Sequence, residues 1–379
     1  MQRRSLLAAS ATQAGGGGGF PPLVGARGFS WGRNAYGQCG QGSVSAYIQS
    51  PTQIGSASNW AVLKSRGLTS LGITQDGKLW AWGRNNRGQL GLGDLTHRSS
   101  PTQVGSGTNW QDIAVGYGGV IAITNNGKAW SWGMNNTGCL GLGDVVDRSS
   151  PTQVGSGAIW AFAETYGYSS ILINSSGNLF MFGGGGWEAS GVLGNGTLTP
   201  RSSPTQVGTG SSWLTASTGG RTTLAVKTDG TAWSWGLGST GQRGTGNLLD
   251  VSSPVQIGTG TGWTAVDNGP TSGNSLGIRN GKNYSWGGAA WGRLGNGTLA
   301  DVSSPVQIGS ATDWTGDRNC GQGTMAVQGG KLFGWGKNVS YNMSNAWPDS
   351  QYRSSPVQVG TGTGWLTVAG HKTGVARRT

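Results

Sequence analysis

Apolar residues along this chain fall into short runs, and the same order of runs returns seven times. Each copy opens at a lone Trp that follows a Gly/Ser/Thr/Asn stretch: Trp60, Trp110, Trp160, Trp213, Trp263, Trp314 and Trp365. In one copy the runs read WQDIAV (110–115), VIAIT (120–124) and KAWSWG (128–133), with an SPTQVG segment after them. Runs this short, rich in β-branched and aromatic residues and bounded by Gly and Asn, predict four strands per copy. Two-residue turns join the second and third runs at Asp76-Gly77, Asn126-Gly127, Ser176-Gly177, Asp229-Gly230, Asn280-Gly281 and Gly329-Gly330. Gly and Asn tolerate the positive φ that tight hairpins require.

Two further anchors keep the same period. An aromatic residue followed by Gly recurs at Trp31, Trp82, Trp132, Phe182, Trp235, Trp286 and Trp335, and Ser-Pro at Pro51, Pro101, Pro151, Pro204, Pro254, Pro305 and Pro356. Successive anchors lie 49 to 53 residues apart. A period of this length with four strands per unit predicts a seven-bladed β-propeller, an all-β fold. Six hairpin turns serve seven units, which indicates how the ring closes. The strands WLTVAG (365–370) and GVARRT (374–379) are expected to join GFSWG (28–32) and the following SPTQIG in one split blade. Such closure removes the free sheet edges of an open array. In the third strand, aromatics stand two apart in every copy, as in Trp80/Trp82 and Trp130/Trp132. Residues two apart share a strand face, so both rings are expected to pack between blades rather than form a sugar-binding platform.

The unit WAWGRNNRGQLGLGDLTHRSSPTQVG (80–105), with its Asp-Gly hairpin, resembles the RCC1 repeat. The resemblance runs from about residue 28 to residue 379. It implies a seven-bladed propeller, often closed by a split blade. It does not imply a single function, since RCC1-like proteins include an exchange factor for a small GTPase, ubiquitin-ligase accessory domains, secreted bacterial inhibitors and phage proteins. The style of the repeats is that of the bacterial and phage members.

Composition sharpens the picture. The chain holds 75 Gly and 19 Trp in 379 residues, and charged residues make up only 11%. The net charge of +12 makes anionic partners plausible, but the basic residues are scattered, so nucleic acid is not favoured. No apolar run reaches the length of a membrane span. Three Cys without a C-x-x-C pair argue against a disulfide framework or a zinc site. Catalytic groups are scarce: His97 and His371 are the two His, and Glu is limited to Glu164 and Glu188. Gly-x-Gly strings abound, but none opens a helix, so no phosphate-binding loop is expected. The expectation is a protein that is not an enzyme and needs no cofactor.

Three copies depart from the repeat between the third and fourth strands. One reads GGGGWEASGVLGNG (183–196), one carries Trp291, and one reads KNVSYNMSNAWPDSQY (337–352). These loops should share one face of the ring, making Trp187, Trp291, Tyr341 and Trp347 candidate exposed aromatics. The basic residues Arg33, Arg84, Arg87, Arg293 and Lys337 fall in the same loops, where an anionic polysaccharide is a possible ligand. Local pairing of Asp94 with Arg98 and Asp144 with Arg148 is the ordinary alternative for the arginines before Ser-Ser-Pro. Residues 1–20 form a basic leader with Arg3 and Arg4 and five consecutive Gly, ahead of a propeller at 21–379. The leader is expected to dock on a partner protein and tether the propeller in an assembly, a virion or a cell-surface structure. A secreted bacterial propeller that binds another protein is the alternative. An exchange factor ranks below both, for want of an insertion that would act as a wedge.

Overall fold

The computed structural model describes residues 26–184, 190–269, 273–319, 322–339, 348, 350–370 and 373–378. They form seven four-stranded antiparallel sheets, the blades of a propeller. Six blades are contiguous in sequence: 60–103, 110–153, 160–206, 213–256, 263–307 and 314–358. The first of these runs β3 (Trp60–Arg66), β4 (Thr69–Thr74), β5 (Leu79–Gly83) and β6 (Arg98–Gln103), each strand beside the next. β3 is almost wholly buried and packs against the first strands of the neighbouring blades, so it lies nearest the ring axis. β6 is half-exposed along its length and forms the rim.

The seventh blade is the split one. It is ordered β2 (Tyr47–Gln53), β1 (Arg27–Arg33), then Thr373–Arg378 and Trp365–Gly370. Ser30 pairs with Val375 and Phe29 with Ala376, so the two ends of the repeat array complete one sheet. Exchange of strands between the chain ends turns an open stack into a ring without a free inner edge.

The Ser-Pro anchor has a geometric reason. β5 and β6 pair at Ala81↔Thr102 and at Gly83↔Arg98, so Ser99, Ser100 and Pro101 together oppose Trp82 and bulge from the edge strand. An edge bulge needs no N–H from its proline. The Trp-Gly anchor explains the core. Trp31, Trp82, Trp132, Trp235, Trp286 and Trp335 are fully buried, and Phe182 takes the place of Trp in the blade 160–206. Each blade's lone Trp packs against them, as where Trp110 meets Trp130 and Trp132 edge-on at 6.4 and 6.3 Å. The indole N–H then reaches across to the preceding blade. Trp82 donates to Gln38 O (3.0 Å), Trp132 to Gln89 O (3.1 Å), Trp235 to Val192 O (2.8 Å), Trp286 to Gln242 O (3.0 Å) and Trp335 to Arg293 O (3.0 Å). The paired aromatics are therefore inter-blade core, as the strand period requires.

The loop between third and fourth strands is built by one Asn. Asn85 Oδ1 accepts from Leu90 N (2.9 Å), and its Nδ2 donates to Asp94 O (2.9 Å). The loop then docks on the next blade, where Gly93 N donates to Ser149 O (2.8 Å). Close approach demands Gly at residue 88: its φ is +77°, and a Cβ there would sit 2.5 Å from Ser149 Cα. A side-chain acceptor closes the loop from behind. Asp147, Asp250 and Asp301 each accept the backbone N–H three residues after the buried aromatic, at 2.8 Å, and His97 Nδ1 fills that role at 2.9 Å. His97 is thus a structural acceptor.

Candidate binding face

Antiparallel blades give the ring two unlike ends. One carries the tight hairpins between second and third strands. The other carries the long loops between third and fourth strands together with the turns between first and second strands. Among the described residues, fifteen large hydrophobic side chains are exposed, and twelve of them lie at the long-loop end. Six occupy one repeat position: Val44, Leu95, Val145, Leu198, Leu248 and Leu299 are each 54–65% exposed. They form a crown, one residue per blade, in six of the seven blades, the corresponding loop of 314–358 lying largely outside the described residues.

Side-chain turns hold four of the crown residues, Leu95, Val145, Leu198 and Leu248, outward. Leu95 sits inside an Asx turn in which Thr96 N donates to Asp94 Oδ1 (2.8 Å). The same turn recurs around Val145, at Asp144 with Val146 (2.9 Å), and around Leu248, at Asn247 with Leu249 (3.1 Å); around Leu198 the acceptor is a hydroxyl, Thr199 N donating to Thr197 Oγ1 (3.4 Å). A side-chain oxygen that mimics a backbone turn leaves the middle residue at the corner, facing solvent. Arg98 and Arg148 clamp the turns from below by ion pairs of 2.6 Å to Asp94 and Asp144. The backbone N–H of Thr96, and secondarily Arg98, hold the Asp94 carboxyl below the usual carboxylate range. The Val146 N–H does the same for Asp144.

Inside the crown, at the same end, a cavity of about 830 Å³ opens on the axis. First-to-second-strand turns contribute Tyr117, Tyr168 and Arg221, the end of the strand Trp160–Tyr166 contributes Tyr166, and long loops contribute Arg84 and Arg87. Beside it, Arg66 reaches from the blade 60–103 past its neighbour to the blade 160–206. Its guanidinium pairs with Glu164 (3.1 Å), donates to Thr165 O (2.9 Å) and stacks 4.6 Å from the Tyr166 ring. Lys64 and Asp112 form a second inter-blade pair at 3.2 Å.

The expected site residues sort by these features. Arg84 and Arg87 line the cavity, with Arg84 over the Tyr36 ring (5.4 Å) and Arg87 paired to Asp147 (3.2 Å). Trp291, Arg293 and Lys337 come together across two blades: the indole, 38% exposed, has Arg293 at 5.3 Å and Lys337 at 4.9 Å. Arg293 is buried beneath that indole, donating from Nε to Ala290 O (2.8 Å), so it supports the loop. Arg33 ends β1 half-buried and does not line the cavity. Trp187, Tyr341, Trp347, Arg3 and Arg4 lie outside the described residues. Sequence reasoning missed the crown, whose signal is an aliphatic residue two places after a repeated Gly, and it missed the pairing of Glu164. Among the described residues no helix is long and apolar enough to cross a membrane.

The model of the regulator of chromosome condensation (RCC1) repeat matches residues 27–64, 76–123 and 126–159. A probable E3 ubiquitin-protein ligase, HERC3 of Homo sapiens, is 36% identical over 72 residues, 18% of this chain and 7% of that protein. The Danio rerio RCC2 homolog is 39% identical over 64 residues, 17% and 10% of the two chains. The matches thus span a tenth or less of these curated relatives. Among solved structures, human WBSCR16 superposes with a TM-score of 0.82 at 19% identity, covering 94% of this chain and 99% of that one. Prp20p of Saccharomyces cerevisiae, described with its binding to Gsp1p and histones, gives 0.81 at 18%, covering 98% and 94%. Yeast RCC1 (Prp20) described as bound to Kap60 gives 0.80 at 18%, covering 94% and 89%. At these identities the likeness establishes the fold.

Proposed function

For a chain that carries RCC1 repeats and folds as an RCC1-like propeller, we propose a non-catalytic role as a protein-binding module that docks its partner on the long-loop end. The crown of exposed aliphatic residues carries this reading. All six are more than half exposed, and side-chain turns hold Leu95, Val145, Leu198 and Leu248 in water. Exposed aliphatic side chains repeated at one position on one face of a rigid scaffold support an interaction surface there. The carboxylates and imidazole near it support structure: Asp94 and Asp144 clamp loops, Asp147 and His97 accept backbone N–H groups, and Glu164 pairs with Arg66. Yeast Prp20, a propeller of the same fold, is described with protein partners, Gsp1p and histones in one structure and Kap60 in another, which supports the class of partner.

Within this proposal residues 1–20, with Arg3 and Arg4, tether the propeller to a partner subunit of a virion or cell-surface assembly. That element rests on composition, since residues 1–25 lie outside the described residues. The test is to isolate the protein with its native partner and repeat the isolation with Leu95→Asp/Leu248→Asp/Leu299→Asp and with residues 1–20 deleted. Loss of the partner from the folded crown variant is the expected result. Retention of the partner by that variant overturns the docking face, and an unaffected deletion overturns the tether.

A further inference from the structure

The axial cavity combines features that point to a particular ligand chemistry. Its described lining includes three arginines, Arg84, Arg87 and Arg221, and three tyrosines, Tyr117, Tyr166 and Tyr168, with no Asp or Glu. The remaining polar lining is amide, hydroxyl or backbone. This is unusual for its surroundings, because carboxylates are close by and already engaged. Glu164 is held by Arg66 at 3.1 Å and Asp112 by Lys64 at 3.2 Å. Arg87 meets Asp147 at 3.2 Å, but its side chain is 58% exposed, and an exposed pair of this kind is weakly held and open to exchange. Arg221 is exposed at the mouth.

We propose that this cavity is an anion-accepting pocket that receives acidic side chains of the partner polypeptide seated on the crown. The proposal rests on the protein-docking reading above and assigns its polar half. Guanidinium groups present paired donors that match a carboxylate, and three of them in a lining without Asp or Glu favour an anion over a neutral group. The tyrosines are pre-organised to receive it. Tyr117 and Tyr166 stand edge-to-face at 5.6 Å, and Arg66 holds the Tyr166 ring from beside the cavity. Burial raises the Tyr117 hydroxyl above its ordinary pKa, with its hydrogen bond to Tyr166 the main opposing influence. A volume of about 830 Å³ admits several side chains at once. Placement inside an aliphatic crown selects a polypeptide over a sulfated polysaccharide. A polypeptide can lay apolar residues on the crown while acidic ones enter, whereas a sulfated chain has nothing to bury there.

The experiment uses the full chain and calorimetric titration at low ionic strength with three probes: acetylated, amidated hexaglutamate, the matching hexalysine, and sucrose octasulfate. Hexaglutamate is expected to bind and hexalysine not to bind. Arg84→Ala/Arg221→Ala should weaken hexaglutamate by about tenfold or more, while Arg279→Ala, at the hairpin end of the ring, leaves it unchanged. Near-UV circular dichroism verifies the fold, and the single exposed substitution Arg221→Glu serves if the double variant does not fold. No hexaglutamate binding, or binding indifferent to Arg84 and Arg221, overturns the pocket. Sucrose octasulfate binding through the same arginines without hexaglutamate binding also overturns it, in favour of a polysaccharide. If crown substitutions release the native partner while hexaglutamate fails to bind, the pocket alone is lost. If hexaglutamate binds and crown substitutions do not release the partner, the docking reading is the one that fails.

Discussion

The indole N–H staples between blades can be tested at Trp235. Its Nε1 donates to Val192 O at 2.8 Å from a fully buried ring. Trp235→Phe removes that donor and the atoms of the smaller indole ring. The lost hydrogen bond should cost about 1 kcal/mol. The lost ring atoms and the space they leave add about 1–2 kcal/mol. The carbonyl is not orphaned, because Thr223 Oγ1 also donates to it at 3.0 Å. The single variant should therefore lose about 2–3 kcal/mol in all. The blade 160–206 already lives with this arrangement: Phe182 replaces the Trp there, and Ser170 Oγ donates to Cys139 O at 2.7 Å. Removing both donors is a different matter. Trp235→Phe/Thr223→Val strips the indole and hydroxyl donors from a buried carbonyl, adding a desolvation penalty of about 1–3 kcal/mol beyond the two single effects. Urea denaturation followed by far-UV circular dichroism reads all four proteins of the cycle. Strict additivity, or a Trp235→Phe cost under about 0.5 kcal/mol, would refute the staple.

Other consequences follow from single residues. Gly88→Ala should destabilise by about 2 kcal/mol or more, read by the same denaturation, because it combines a positive φ with backbone contact from the next blade. Cys39, buried and pushed up to about 12 mainly by that burial, should resist a thiol reagent at pH 8 in a Cys139→Ala/Cys320→Ala background until the protein unfolds. Its folded-state pKa lies above the unfolded value, so its contribution to stability is intact below about pH 9 and is lost as pH rises toward 12. Asp94 and Asp144 behave oppositely. Their carboxyls are held below 3.8 by turn N–H groups and then by Arg98 and Arg148, so this support is present above about pH 4 and disappears as pH falls through the folded pKa. Carboxyl NMR should show the Asp94 pKa moving up in Arg98→Ala, and an unmoved value would remove Arg98 from the clamp.

The fold was legible because the signals are local and repeated. A Trp-x-Trp-Gly strand, an Asp-Gly hairpin and a Ser-Pro bulge each dictate geometry within a few residues, and the copy without a hairpin exposed the split blade. The site was legible only in part. That long loops share one end follows from strand order, so Arg84, Arg87, Trp291 and Lys337 were found by position. Their environments did not follow: Arg293 and Arg87 stand in comparable loops, yet one is buried under an indole and the other is largely in water. Arg66 and Glu164 are 98 residues apart and meet only because blades converge on the axis. The crown needed burial rather than pattern, since an aliphatic residue after Gly reads equally well as core.

The most direct test of the account is the binding of the native partner to the wild-type chain and to Leu95→Asp/Leu248→Asp/Leu299→Asp, measured by calorimetry or surface capture at matched concentration. Each substituted position is more than half exposed and makes no core contact in the hydrophobic clusters, so the fold and its denaturation midpoint should be kept. The account predicts that partner binding is lost with the midpoint unchanged. Full binding by the folded triple variant would contradict it and move the interface off the long-loop end.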